Sequence, residues 1–238
     1  IRDGILRGAA AIIQTIETGF ASSEARLSQQ SIASLSAAIA DRIGSGPAQK
    51  PPAPEPGSKV IPGIEAGTHI LGQPQAPVTI VEFSDLECPF TRKFHGRTFE
   101  QLKEKYIDTG KVRFSYRHLP LPFHTYAERA ARTLECAADP EKYWKLFQSF
   151  IKTDKLDEET IGRLAREAGI KKNQLTECMT NETIDRIMKD DRKVTDDKGI
   201  DSTPTLLING RVVTGAYPTA VFEKIIEEEL GKTAGNEP

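Results

Sequence analysis

The chain is predicted to be an α/β protein whose central sheet carries a helical insertion and follows a helical arm. Three observations predict this class. A β-branched and aromatic run, Val78-Thr-Ile-Val-Glu-Phe-Ser84, gives way to helical spacing and then to a second such run, Val112-Arg-Phe-Ser-Tyr116. From Tyr126 to about Lys198 the apolar pattern is helical throughout. Finally, Asn209-Gly210 separates Thr205-Leu-Leu-Ile208 from Arg211-Val-Val-Thr214, a strong hairpin signal because both turn positions favour positive φ.

In chain order, residues 1–43 contain no Pro and place Ile5, Ala9, Ile12, Ile16 and Phe20 three or four apart, as an amphipathic helix requires. A second stripe, Ile32, Leu35, Ile39 and Ile43, is out of phase with the first across Ser22 to Gln30. Two helices or one broken helix fit that pattern. Such an arm could pack on its own domain or pair with other copies into a homo-oligomer, and two short stripes do not separate these. Residues 44–59 concentrate Pro, Gly and Ser and form a semi-rigid linker. The main domain spans 60–232, with the helical insertion at about 122–199, and a frayed tail covers 233–238.

Within the domain, Val78–Ser84 reads as a buried strand. Phe94, Phe99, Leu102 and Tyr106 then mark a helix leading to the strand at Val112, and a crossover of this length implies parallel pairing. Breaks at Asp139-Pro140, near Lys155, near Gly169 and near Thr180 divide the insertion into four or five helices. A closing helix runs from Pro218, in its first turn, to about Leu230, with Gly231 at its end.

The 238 residues hold 32 basic and 34 acidic side chains, a balance with no long-range field to draw nucleic acid or an anionic membrane. No window of 18 uninterrupted apolar residues occurs. The chain begins at Ile1 rather than Met, so an upstream signal peptide or membrane anchor is expected. Three cysteines, Cys88, Cys136 and Cys178, allow one pair and one free thiol in an oxidising compartment. His95, His118 and His124 lack zinc-like spacing with a second Cys or His, so neither metal nor cofactor is expected. The charge run Lys189-Asp-Asp-Arg-Lys through Asp196-Asp-Lys198 reads as a solvated helix face, and Asn181-Glu-Thr183 fits a glycosylation acceptor.

Cys88 carries the chemistry. It falls where strand becomes helix, with Pro89 in the first turn, where a missing N–H costs nothing. A thiol there faces the unpaired N–H groups and the positive end of the helix dipole, which favour thiolate over thiol.

Val81-Glu-Phe-Ser-Asp-Leu-Glu-Cys-Pro-Phe-Thr91, preceded by Leu71-Gly-Gln-Pro-Gln-Ala-Pro77, resembles the active-site segment of the DsbA family within the thioredoxin superfamily. Arg117-His-Leu-Pro-Leu121 is similar to the family's second strand and loop. Ser202-Thr-Pro-Thr205 with Ile208-Asn-Gly210 resembles its cis-proline loop and hairpin. The resemblance covers about residues 64–231 and implies a thioredoxin-like fold: a central mixed sheet flanked by helices, with an inserted all-helical subdomain.

It also implies roles. Cys88 is the nucleophile and Glu82 the buried acid beneath it, expected to exchange protons with the cysteine. Pro204 is cis and lies against Cys88, while Thr203 offers backbone hydrogen bonds to an extended substrate. Pro89 and Phe90 form the dipeptide that tunes the thiolate, and Phe90 helps it less than a histidine would. Cys136 and Cys178 resemble a structural pair bridging two inserted helices; two inert thiols or a distant redox pair are the alternatives.

Where the family has a second motif cysteine, this chain has Thr91, which forms no disulfide. That removes ordinary dithiol oxidation and leaves attack of Cys88 on substrate disulfides, supporting isomerisation or monothiol reduction. The Thr91 hydroxyl is also placed to hydrogen-bond the Cys88 sulfur. Partners on this reading are cysteine-containing polypeptides and a resolving thiol such as glutathione, outside the cytoplasm. A binding or chaperone module with weakened catalysis is the competing reading, and a Thr91 introduced to trap substrates would look the same.

Overall fold

A computed structural model of the chain describes residues 55–137 and 139–234; the expected arm, most of the linker and the tail beyond 234 lie outside the described residues. Five strands form one sheet: β1 (His69–Leu71), β2 (Val78–Ser84), β3 (Val112–His118), β4 (Thr205–Ile208) and β5 (Arg211–Thr214), in the order β1-β3-β2-β4-β5. β2 pairs parallel with β3 and antiparallel with β4, which leaves six of its seven residues fully buried. That central position buries both of its faces, which suits the apolar Val78, Ile80, Val81 and Phe83. β3 runs to His118, two residues past the sequence boundary, because its pairing with β2 continues as far as Ser84.

Between β2 and β3 a continuous helical run over residues 89–107, α1, supplies the crossover. It alternates α turns (Pro89–Lys93, Glu100–Leu102) with π turns (Phe94–Phe99, Lys103–Ile107). The five-residue step from Phe94 to Phe99, awkward for 3.6 residues per turn, suits a π turn and buries both rings.

The insertion contains five helices: α2 (Ala127–Glu135), α3 (Pro140–Lys152), α4 (Glu158–Glu167), α5 (Lys172–Cys178) and α6 (Glu182–Lys198). Their starts are written in the sequence. Asp139, Asp157 and Asn181 are N-caps whose side chains accept from Lys142 N, Thr160 N and Thr183 N at 3.0, 2.9 and 2.8 Å. The Asn181 side chain is thus a cap inside a helix–helix junction. α6 ends at Gly199, whose φ of +64° closes a left-handed cap. In the hairpin turn Asn209 and Gly210 have φ of +46° and +87°, the two positive values expected there. The last helix, α7 (Thr219–Ala234), continues past Gly231, correcting the expected stop.

β2 alternates two faces. Val78 and Ile80 join α1 and α7 through Phe94, Phe99, Phe222 and Ile226, while Val81 and Phe83 pack with Ile61, Leu119, Ile200 and Leu207. Glu82 and Ser84 therefore belong to the α1 face. Two edge features have no sequence signal: β1, only three residues long and partly exposed, and a strap along β5, where Gly57 N and Ile61 N donate to Val212 O and Gly210 O, both at 2.8 Å.

Candidate active site

β2 delivers the chain to the C-terminal edge of the sheet at Ser84, and Cys88 follows as the N-cap of α1 with φ −67° and ψ 124°. Its carbonyl accepts Arg92 N at 3.1 Å, opening the helix, and Pro89 fills the first turn. The register Phe83↔Thr205 sets the end of β4 beside the end of β2, so the Ser202–Thr205 loop arrives next to Cys88. The Thr203-Pro204 peptide is cis, and the Cys88 thiol donates to Thr203 O at 3.5 Å. Cys88 is the one free cysteine among the described residues and is 4 % exposed.

Beneath the cysteine, α1 and β2 share a seam of buried polar side chains. Cys88, Thr91 and His95 follow one another at helical spacing, opposite Ser84 and Glu82 on alternate positions of β2. The hydroxyls of Thr91 and Ser84 lie 2.7 Å apart. The expected bond from Thr91 to the Cys88 sulfur is not formed among the described residues, where the Thr91 hydroxyl is bonded to Ser84 instead. Glu82 Oε2 pairs with His95 Nε2 at 2.8 Å, with both side chains sealed from solvent. Glu82 Oε1 and His95 Nδ1 are buried with no partner among the described residues.

Asp85 organises the loop before the cysteine. Its buried carboxylate accepts Glu87 N and Leu121 N at 2.7 Å and pairs with His124 Nδ1 at 2.8 Å, while its carbonyl accepts Cys88 N at 3.1 Å. Glu87 Oε2 accepts Tyr126 N at 2.7 Å. The strand end, the cysteine and the 119–126 loop are therefore tied together. Phe90 stands 58 % exposed beside the cysteine, and Phe123, on the tied loop, 73 %.

Further along β3 lies a second polar cluster. Glu135 accepts His118 Nε2 at 2.7 Å and His69 Nε2 at 3.0 Å, and His69 stacks on Tyr143. Burial alone would raise the Glu135 carboxyl, but the two imidazoles outweigh it and hold it down to about 2. His118 is moved the other way: burial would lower it, and the Glu135 hydrogen bond and charge, with Asp191 and Asp85, raise it. Asp191 corrects a sequence reading. It sits in the charge run assigned to solvent, yet it is buried and takes Arg117 Nε and His118 N, each at 2.7 Å. Cys136 and Cys178 form a disulfide joining the end of α2 to α5, with Cα atoms 5.8 Å apart. No group of three or more His, Cys, Asp or Glu side chains among the described residues is arranged to hold a metal.

The structure thus sets Cys88 against Thr203 O of the cis Thr203-Pro204 peptide, ties Thr91 to Ser84 and Glu82 to His95 in the seam below, and leaves Phe90 exposed. Sequence reasoning weighed His95 only as a metal ligand and missed its pairing with Glu82, for which its place seven residues after Cys88 on the helix was a signal; it also missed the role of Asp85.

A nucleophile at a strand-to-helix turn, facing a cis X-Pro peptide on a β-α-β unit closed by a hairpin, defines the thioredoxin-fold thiol–disulfide proteins. The chain matches the thioredoxin family model over residues 65–228 and belongs to that family, with DsbA-like proteins among its relatives. It is 29 % identical over 188 residues to "Disulfide bond formation protein D" of Bacillus subtilis, covering 74 % of this chain and 84 % of that one. It is also 29 % identical over 177 residues to "Na(+)/H(+) antiporter NhaA 3" of Salinispora tropica, covering 71 % of this chain. The match spans only 26 % of the antiporter's length. Among solved structures, α-DsbA1 of Wolbachia pipientis superposes with a TM-score of 0.62 at 26 % identity, over 69 % of this chain and 92 % of that one.

Proposed function

We propose that Cys88 performs thiol–disulfide exchange on cysteine-containing polypeptides as a lone nucleophile, in disulfide isomerisation or monothiol reduction rather than ordinary dithiol oxidation. The observation that carries this is the second motif position: Thr91 is buried and hydrogen-bonded to Ser84. No sulfur there can close a disulfide on Cys88.

The Cys88 thiolate attacks one sulfur of a substrate disulfide. A bond forms from Cys88 to that sulfur, the substrate S–S bond breaks, and the other substrate sulfur leaves as a thiolate and takes a proton. In isomerisation a different thiolate of the same substrate then attacks the mixed disulfide, freeing Cys88 with no net oxidation. In reduction the attacking thiol is external, such as glutathione; a second equivalent releases the first as its own disulfide, so two external thiols are oxidised per substrate disulfide reduced. Glu82, sealed under the site, exchanges the proton with Cys88, and Thr203 and cis-Pro204 receive the extended substrate.

The Cys136–Cys178 disulfide supports a place outside the cytoplasm, where such bonds persist. The Bacillus relative, named for disulfide bond formation, supports the substrate class. Reactivation of scrambled ribonuclease in a glutathione buffer tests the reading. The protein should restore ribonuclease activity and Cys88→Ser should abolish the effect. Equal activity of Cys88→Ser, or no reactivation by the unsubstituted protein, would overturn it.

A further inference from the structure

We propose that His124 is a catalytic residue of the exchange cycle: it gives a proton to the sulfur that leaves the substrate disulfide and takes one from the thiol that later attacks the mixed disulfide. This rests on the exchange reading above and names the group that carries the proton for the substrate's sulfurs.

The sheet sets two loops on opposite sides of Cys88. β3 runs parallel to β2 on one side, so its C-terminal end delivers the 119–126 loop to the end of β2, where Leu119 N donates to Ser84 O at 2.8 Å. β4 runs antiparallel on the other side and brings in the Ser202–Thr205 loop. A substrate held along Thr203 and cis-Pro204 presents one sulfur to Cys88, and the side left to its departing sulfur is that of the 119–126 loop. Between Leu119 and Thr125, His124 is the one residue with a titratable side chain.

The His124 ring is fixed at one nitrogen and open at the other. Nδ1 lies 2.8 Å from Asp85 Oδ2, and a carboxylate only accepts, so Nδ1 carries the hydrogen. The Asp85 side chain is sealed from solvent, whereas that of His124 is 17 % exposed. The same Oδ2 accepts Leu121 N at 2.7 Å, and the Asp85 carbonyl accepts Cys88 N at 3.1 Å, so a single residue spans the imidazole and the cysteine. The Phe123 ring meets the imidazole edge-on, with centroids 4.6 Å apart. Nε2 has no hydrogen-bond partner among the described residues. Asp85 thus orients His124 as a third group orients the base of a catalytic pair, leaving the outer nitrogen free for a proton. The Cys88 thiol itself is directed to Thr203 O at 3.5 Å, which leaves the ring for the sulfurs of the substrate.

The proton balance closes without a second motif cysteine. The Cys88 thiolate attacks one substrate sulfur, the S–S bond breaks, and the departing sulfur takes the proton from Nε2, leaving a neutral imidazole still bonded to Asp85. The resolving thiol returns a proton to Nε2 as its sulfur attacks the mixed disulfide, and Cys88 leaves as a thiolate. One imidazole serves as acid in the first half and base in the second.

The test turns on the leaving group. A thiolate of low pKa departs unaided, whereas an alkyl thiolate leaves slowly, and a general acid helps only the second. Two substrates separate the cases: a symmetrical disulfide of a cysteine peptide, and the same peptide as its mixed disulfide with thionitrobenzoate. Formation of the Cys88–peptide adduct is followed by mass spectrometry, and the ratio of the two rate constants is taken on one protein sample, so loss of folded protein cancels. His124→Asn keeps an N–H for Asp85 and lacks the outer nitrogen. It should slow the symmetrical disulfide about tenfold or more and leave the thionitrobenzoate substrate within about twofold of the unsubstituted chain. In the unsubstituted chain, heavy water should slow the symmetrical disulfide relative to the other substrate. Equal slowing of both substrates by His124→Asn, slowing of neither, or an isotope effect shared equally by both overturns His124 as the acid while leaving exchange intact. Absence of a Cys88 adduct from either substrate overturns the exchange reading, and the role of His124 with it.

Discussion

Replacing Glu135 by Gln should remove about 3 kcal/mol of stability near pH 5.5 and flatten the acid limb of the stability curve. Glu135 closes α2 and holds two imidazoles, His118 from β3 and His69 from β1, so its carboxylate joins the insertion to the sheet. Its lowering from 4.5 to about 2, at about 1.4 kcal/mol per pH unit, corresponds to about 3 kcal/mol. The folded value lies below the unfolded one, so this contribution is complete above about pH 5 and is lost as pH falls toward 2. His118 has the opposite sign. Its folded value is raised above 6.5, so its share is complete below about pH 6 and is lost as pH climbs through the raised value. Both describe the same ion pair and count once. Stability should therefore peak between about pH 5 and pH 6.5 and fall on either side. Urea titrations across that range, followed by the fluorescence of Trp144, the single tryptophan, measure it directly. Parallel acid limbs for the parent and Glu135→Gln, or a cost below about 1 kcal/mol at pH 5.5, would refute the reasoning.

Three further outcomes are expected. Cys136→Ser with Cys178→Ser opens a crosslink spanning a sequence separation of 42 and should cost about 4 kcal/mol of unfolding free energy in urea. Thr91→Cys should restore an internal disulfide with Cys88, seen as the loss of both titratable thiols after oxidation, and give the protein dithiol oxidase activity on reduced ribonuclease. Asp191→Asn strips the charge that holds Arg117 and should cost about 2–3 kcal/mol by the same urea assay, with little effect expected if Asp191 were on a solvated face.

The sequence carried those parts of the fold that depend on local rules. Val78–Ser84 is apolar enough to announce a central strand, Asn209-Gly210 can hardly be anything but a tight turn, and Asp139, Asp157 and Asn181 mark helix starts. β1 escaped because three partly exposed residues have no period, and their partner on β3 lies some forty residues away. Asp191 escaped for a different reason. Its neighbours are all charged, and only the approach of Arg117 and the free N–H of His118 turn one member of that run inward. Cys88 was legible from its strand–helix junction and family likeness, whereas His95 and Asp85 act through residues far from them in sequence.

The polar seam under Cys88 shows how a local rule and a long-range one combine. Ser84–Thr91 and Glu82–His95 replace apolar packing with hydrogen bonds at the strand–helix interface, which is costly unless each bond is held in place. The holding comes from outside the seam. Phe99, Phe114 and Phe147 crowd the His95 ring at centroid distances of 4.6, 6.1 and 4.8 Å, leaving the imidazole one orientation toward Glu82. The π turn at Phe94–Phe99 contains His95 itself, so the backbone irregularity and the histidine's placement are parts of one local solution. The aromatic wall that stabilises the domain thereby also holds the Glu82–His95 pair together, and softening it with Phe147→Leu should lower the rate of Cys88 alkylation before it lowers the urea midpoint of unfolding.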